Sequence, residues 1–162
     1  MIKNNKTIDA VFNIGFLLID NFALMSFSAV VEPLRAANLI AKRKLYEIDY
    51  YAIDNHLSKS SSGAVVASTK TLNDMSHLDF LFVVAGGGVT SYINENASKL
   101  LRQLAKQGVT IGGVSGRPVI LARAGLLKNR RFTVHWEHAS IMTELFPDLI
   151  IERSLYVKDR DR

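Results

Sequence analysis

The segment Gly112–Gly125 reads GGVSGRPVILARAG, and within it Ser115 stands between an apolar run and a helical pattern opened by Pro118. A buried strand, a tight turn of small residues and a proline in the first helical turn build an elbow that lifts one side chain above a sheet. That side chain faces the positive end of a helix. A serine held there can attack a carbonyl once a base takes its proton, or it can bind a ligand without reacting. The G-x-S-x-G pattern of hydrolase elbows is incomplete, because Arg117-Pro118 occupies the place of its second glycine. On spacing alone, a plain strand-to-helix loop is the simpler reading.

Two other segments bear on that choice. Ala85-Gly86-Gly87-Gly88 follows a second apolar run, and backbone N–H groups of such a turn can form an oxyanion hole or an anion-binding nest. A glycine run after a strand is equally often only a tight turn. Arg131-Phe132-Thr133-Val134-His135-Trp136 brings an imidazole to a helix start with an indole beside it. His135 and His138 stand at i, i+3, but no carboxylate in helical register completes a metal site, and Glu137 and Glu144 read as solvated helix-face residues. Zinc is rejected, and no metal or cofactor is expected.

The elements that position these residues follow from periodicity. Ala10–Ile19 is a nearly continuous apolar run, as in a strand buried on both faces of a parallel sheet. Phe22–Ala41 carries apolar residues at helical spacing, with Pro33 marking a break or restart. Tyr46–Asp54 alternates as a strand, His56–Gly63 is a polar loop, and Ala64–Ser68 is a short strand of a possible hairpin. Asp79–Val84 and Val109–Val114 are further strands. Ser91–Gln107, closed by Gly108, is a helix, as are Pro118–Leu127 and His135–Phe146; Leu149–Val157 alternates again. Strands alternating with helices predict an α/β fold, a doubly wound, mainly parallel sheet flanked by helices, with ligands at the strand carboxyl ends.

The bulk composition narrows the class. With 162 residues, 48% apolar and 22% charged, the chain suits one globular domain. It has no cysteine, which excludes disulfides and thiolate chemistry and fits a reducing cytoplasm. The polar start MIKNNKT is not a signal peptide, and no run spans a bilayer. The formal net charge of +5 gathers in Lys42-Arg43-Lys44, Lys128-Asn129-Arg130-Arg131 and Lys158-Asp159-Arg160-Asp161-Arg162. Three separate loop or end clusters are not expected to form a groove-reading surface.

GGVSGRPVILARAGLL followed by RRFTVHWEH resembles the class I glutamine amidotransferase-like (flavodoxin-like) fold of the ThiJ/PfpI superfamily. It is most similar to the version at the N-terminus of AraC-type transcriptional regulators. A typical segment there reads G-x-C/D-T-G-x-x-x-L-A-x-A-G-L-L, then R-x-T-x-H-W. ALMSFSAVVEPLRAAN resembles the first helix of that group, and DFLFVVAGGG extends the likeness, which runs from Val11 to about Asp159. The resemblance puts Ser115 at the nucleophile cysteine and His135, twenty positions later, at the histidine. Gly87 and Gly88 fall on the oxyanion-type glycines, with Gly86 and Gly116 flanking the same turns, and Glu32 on the acidic residue of the first helix. Two departures stand out: serine replaces cysteine, and Arg117 stands where enzyme members carry small residues, so that it crowds or caps the pocket.

Three functions follow from these residues and the resemblance. The first is the ligand-sensing and dimerising domain of a regulator, an enzyme fold without its chemistry. Its pocket (Glu32, Gly86, Gly87, Gly88, Ser115, Gly116, His135, Trp136) would take a metabolite of amino-acid or amine type, with Trp136 facing a cation and Glu32 pairing with it. DNA would be contacted only through a helix-turn-helix domain beyond Arg162, an expectation that fits an end placed directly after a strand-like segment. The second is a serine-dependent amidase or hydrolase using Ser115 and His135, for which Asp54 and Asp79 are the available candidates to orient the imidazole. The third is an oligomerisation module with a vestigial pocket.

Overall fold

The computed structural model describes residues 10–53, 56–86, 95–115 and 118–162. In chain order they form β1 (Phe12–Leu18), α1 (Leu24–Ala41), β2 (Tyr46–Ala52), β3 (Leu57–Lys59), β4 (Val65–Ala67), β5 (Phe80–Ala85) and α2 (Glu95–Lys106). There follow β6 (Thr110–Ser115), α3 (Pro118–Arg123), β7 (Arg131–Thr133), α4 (Trp136–Leu145) and β8 (Ile150–Glu152).

The apolar runs make the central sheet. β2, β1, β5 and β6 lie side by side in that order, every pair parallel. β1 is interior, so both of its faces are covered. Ile14, Phe16 and Leu18 pack with Phe27 and Val31 of α1. Leu17 faces the opposite layer with Leu101 and Leu104 of α2, Val119 to Ala122 of α3 and Met142 of α4. Helices on both faces make this the expected α/β architecture.

The α1 layer is rich in aromatic rings. Phe16 stacks on Phe82 at 5.4 Å, and Phe27 meets Phe16, Phe22 and Tyr50 edge-on. Such pairs add about 0.5–1.5 kcal/mol each beyond the area they bury. α2 ends as expected at Gly108, whose φ is 90°. The Gly108 N–H donates to Ala105 and that of Val109 to Leu104, which satisfies the last carbonyls of the helix.

Several boundaries differ from expectation. Pro33 neither breaks nor restarts α1, which runs unbroken through it. Pro33 and Ala29, whose carbonyl it cannot bond, are both exposed, so water can take the freed acceptor. The stretch His56–Gly63 is not all loop: Leu57–Lys59 is β3 and pairs antiparallel with β4. α3 stops at Arg123, short of Leu127, and Gly125 follows with φ 74°. β8 is only three residues, paired parallel with β7 in a separate small sheet, and Ser154–Val157 leave the strand despite their alternation. Leu72–His77, unassigned from sequence, is a short 3-10 helix. Among the described residues no helix is long and apolar enough to cross a membrane.

Candidate functional site

Ser115 is the last residue of β6 and pairs in register with Ala85, the last of β5. Its φ of 66° lies in the left-handed region that non-glycine residues rarely adopt. The elbow inferred from small residues and Pro118 is therefore present, and it holds Ser115 exposed at the carboxyl end of the sheet. Gly86 comes directly after Ala85, so it lies beside Ser115 at adjacent strand ends.

Gly86 itself has a packing role. A Cβ there would lie 2.1 Å from the Asn21 carbonyl oxygen and 3.0 Å from the Ala23 nitrogen. The β1–α1 turn thus presses on Gly86, and its lack of a side chain is explained before any ligand is considered. Gly87, Gly88, Gly116, Arg117 and Asp54 lie outside the described residues.

His135 and Trp136 arrive from the β7–α4 junction. His135 caps α4 through its carbonyl, which accepts from the His138 N–H at 2.8 Å, and its ring lies 5.5 Å from that of Trp136. Trp136 is 77% exposed. Ser115, Pro118, Leu121, Phe132, His135 and Trp136 line one cavity of about 1050 Å³. Glu32 is not brought to it: the side chain is 57% exposed on α1 and pairs with Arg35 at 2.6 Å.

The cavity holds a hydroxyl and an imidazole but gives the imidazole little help. Asp79 stands before the first residue of β5, and its carboxylate accepts from the Asn13 N–H at 2.8 Å. Ser115 pairs with the last residue of that strand, so about 20 Å of extended chain separates the two ends. Asp79 is therefore no partner for His135. The acid that does approach is Glu137, at 3.5 Å from Nδ1, with both side chains half exposed and screened by water. Sequence reading had set Glu137 aside as a solvated helix-face residue. Its place in the first turn of α4, where acids favour the helix dipole, was the available signal.

Several charged residues in and beside the cavity are paired. Arg130 meets Asp161 at 2.6 Å, Arg131 meets Glu152 at 3.1 Å, and Arg160 meets Asp159 at 3.2 Å. The second and third basic clusters, expected in separate places, are thus drawn together, with acids between them. Sequence reading also missed Asp49. It is buried on β2, where it accepts from Lys70 at 2.7 Å and Thr69 at 3.2 Å, pinning the segment after β4. The Asp49 hydrogen bond pushes the Lys70 amine above its usual range.

The DJ-1/PfpI family model matches residues 13–159. The chain belongs to the DJ-1/PfpI family. It is 46% identical over 147 residues to the HTH-type transcriptional regulator GlxA of Rhizobium meliloti, covering 90% of this chain and 45% of that protein. The HTH-type transcriptional regulator GbdR of Pseudomonas aeruginosa is 35% identical over 150 residues, 93% of this chain and 41% of that one. This DJ-1/PfpI chain thus spans less than half the length of both regulators. The crystal structure of an AraC family transcriptional regulator from Pseudomonas putida superposes with a TM-score of 0.83 at 25% identity. That match covers 93% of this chain and 81% of the other. The family and fold suggested by GGVSGRPVILARAGLL and RRFTVHWEH are those the molecule has, and both GlxA and GbdR are named as regulators.

Proposed function

We propose that this DJ-1/PfpI domain is the ligand-sensing and dimerising part of an AraC-type transcriptional regulator, acting in the cytoplasm and without catalysis. The observation that carries the reading is the joint lining of one cavity by Ser115, His135 and Trp136, with no buried acid among the described residues behind the imidazole. An open indole and a hydroxyl suit recognition of a small amine or amino acid. The kinship with GlxA and GbdR supports a regulatory setting. DNA contact belongs to another domain, because the basic clusters here are offset by Asp159, Asp161 and Glu152.

The test is thermal unfolding with a panel of amino acids and quaternary amines. A true ligand at a hundredfold excess over its Kd adds about 2.7 kcal/mol, a rise in Tm of several degrees for a domain of this size. Trp136→Ala removes that rise while leaving the unliganded Tm within a degree or two. A panel without effect, or a rise that survives Trp136→Ala, contradicts the reading.

One observation favours a second reading, the serine hydrolase. The left-handed φ of Ser115 is a strained geometry of the kind that presents nucleophiles.

A further inference from the structure

One buried acid takes no part in the site around Ser115. Asp49 lies on β2, the outermost strand on the far side of the sheet from β6. Its side chain is only 5% exposed. Thr69 Oγ1 donates to Asp49 Oδ1 at 3.2 Å, Lys70 Nζ donates to Oδ2 at 2.7 Å, and His77 Nε2 stands 3.6 Å from Oδ2. All three belong to the segment that leads from β4 through the 3-10 helix to β5, and the start of that segment covers the edge of β2. The Thr69 N–H donates to the Tyr50 carbonyl at 2.9 Å, and the Tyr50 N–H donates to Thr69 Oγ1 at 2.9 Å. An edge strand offers its backbone groups to any other chain, so Thr69 closes this edge at Tyr50.

Opposed tendencies act on the closed segment. Met75 and Leu78 are buried, and Leu78 meets Tyr51 over Gly15 of β1, where a Cβ would lie 2.5 Å from the one and 3.1 Å from the other. The Tyr51 hydroxyl, in the field of Asp49 and Asp74, is buried with no hydrogen-bond partner among the described residues. Opening gives it water, which favours release. Asp49 favours closure while cations face it, because a buried carboxylate that loses them is costly. Lys70 is the constant cation, since the Asp49 hydrogen bond holds its amine above the usual range. His77 is the variable one. At 3.6 Å a neutral imidazole is beyond hydrogen-bond reach, whereas an imidazolium attracts the carboxylate without contact. The His77 side chain is 36% exposed, so protons reach it. Asp74 on the same helix and Glu47 on β2 also face this cluster, and both acids act in the same sense as Asp49.

We propose that the segment 69–77 is a pH-sensitive latch on the β2 edge, held shut by charged His77 facing Asp49 and loosened when His77 gives up its proton. Histidine is the side chain that ordinarily changes charge between about pH 5 and 8. The path from charge to edge is short. Asp49 accepts from the Thr69 hydroxyl, and the oxygen of that hydroxyl accepts from the Tyr50 N–H. Loosening at Asp49 therefore frees Thr69 and uncovers both backbone groups of Tyr50. The latch needs no ligand and is independent of the sensor reading of the cavity. It makes the availability of the β2 edge a function of pH.

Amide hydrogen exchange followed by NMR at about pH 5.5 and about pH 8 tests this. Rates are converted to protection factors, because exchange itself quickens with pH. The Tyr50 and Thr69 amides are expected to be about threefold better protected at the lower pH, the scale of one partly exposed ion pair. The Phe16 and Leu17 amides of the interior strand β1 are expected not to follow. In His77→Gln, Tyr50 and Thr69 stay at the parent's less protected level throughout. His56→Gln keeps the response, although the His56 carbonyl accepts from the neighbouring Ser68 N–H. Equal protection at the two pH values in the parent overturns the latch, as does a response that survives His77→Gln or one lost in His56→Gln. An equal change at Phe16 and Leu17 makes the response global and overturns it too. Should His77→Gln lose its β1 protection, the parent decides alone. The midpoint of the protection change then has to match the titration of the His77 ring protons, and a midpoint that follows His56, His135 or His138 overturns the proposal.

Discussion

Ser115 holds its backbone in a conformation that costs a non-glycine residue on the order of 1–2 kcal/mol. Replacing it with glycine removes that strain, so Ser115→Gly should raise stability by about 1 kcal/mol, a gain of roughly 2–4 °C in Tm. Ser115→Ala keeps the strain and should stay within about 0.5 kcal/mol of the parent. Equal effects from the two substitutions would mean that the elbow is relaxed in solution. Gly86→Ala is the opposite case. Its Cβ would overlap the Asn21 carbonyl, a backbone atom, and about 3 kcal/mol or more of stability should be lost in urea unfolding. The elbow was legible because small residues and Pro118 are local signals. The packing role of Gly86 was not, since its neighbours Asn21 and Ala23 come from a distant turn. Glu32 illustrates the same gap: resemblance carried it to the pocket, whereas its i, i+3 partner Arg35 holds it at the surface.

At the scale of elements, the local devices are Thr71 and Asp74 at the start of the 3-10 helix. The Asp74 carboxylate accepts from the Thr71 hydroxyl at 2.7 Å and the Thr71 N–H at 3.1 Å. The hydroxyl bond first, then the backbone bond, holds the Asp74 carboxyl below its ordinary range. A lowered folded-state pKa means a stabilising effect that is complete above the unfolded value, about 3.9, and is lost as pH falls through the folded value. The stability gap between the parent and Asp74→Asn, from denaturant midpoints, should therefore be largest above about pH 5 and close on acidification toward pH 2. A gap that widens in acid would contradict the assignment. This capping pair was readable in the sequence as T-x-x-D but lay in a stretch without apolar periodicity. Pro33 misled for a related reason. Its cost depends on whether Ala29 faces water, which is a tertiary fact. The alternation in Leu149–Val157 likewise promised a longer strand than β7, three residues long, can pair.

For the molecule as a whole, the sheet was legible because Ala10–Ile19, Asp79–Val84 and Val109–Val114 are runs that only a two-sided burial explains. Strand order and the joining of the two basic clusters were not, because Arg130–Asp161 and Arg131–Glu152 are contacts between distant segments. The motif GGVSGRPVILARAGLL led to the DJ-1/PfpI family. The elbow is kept, while Asp79 lies at the wrong end of the sheet and Glu137 is solvated. The central claim is that Ser115 binds and does not attack. Incubation with a fluorophosphonate probe, read as intact mass, tests it most directly, since an activated serine forms a stable covalent adduct. The account predicts an unmodified mass, from the parent and from His135→Ala alike. Stoichiometric labelling of Ser115 that disappears in His135→Ala would contradict it and make the domain a hydrolase.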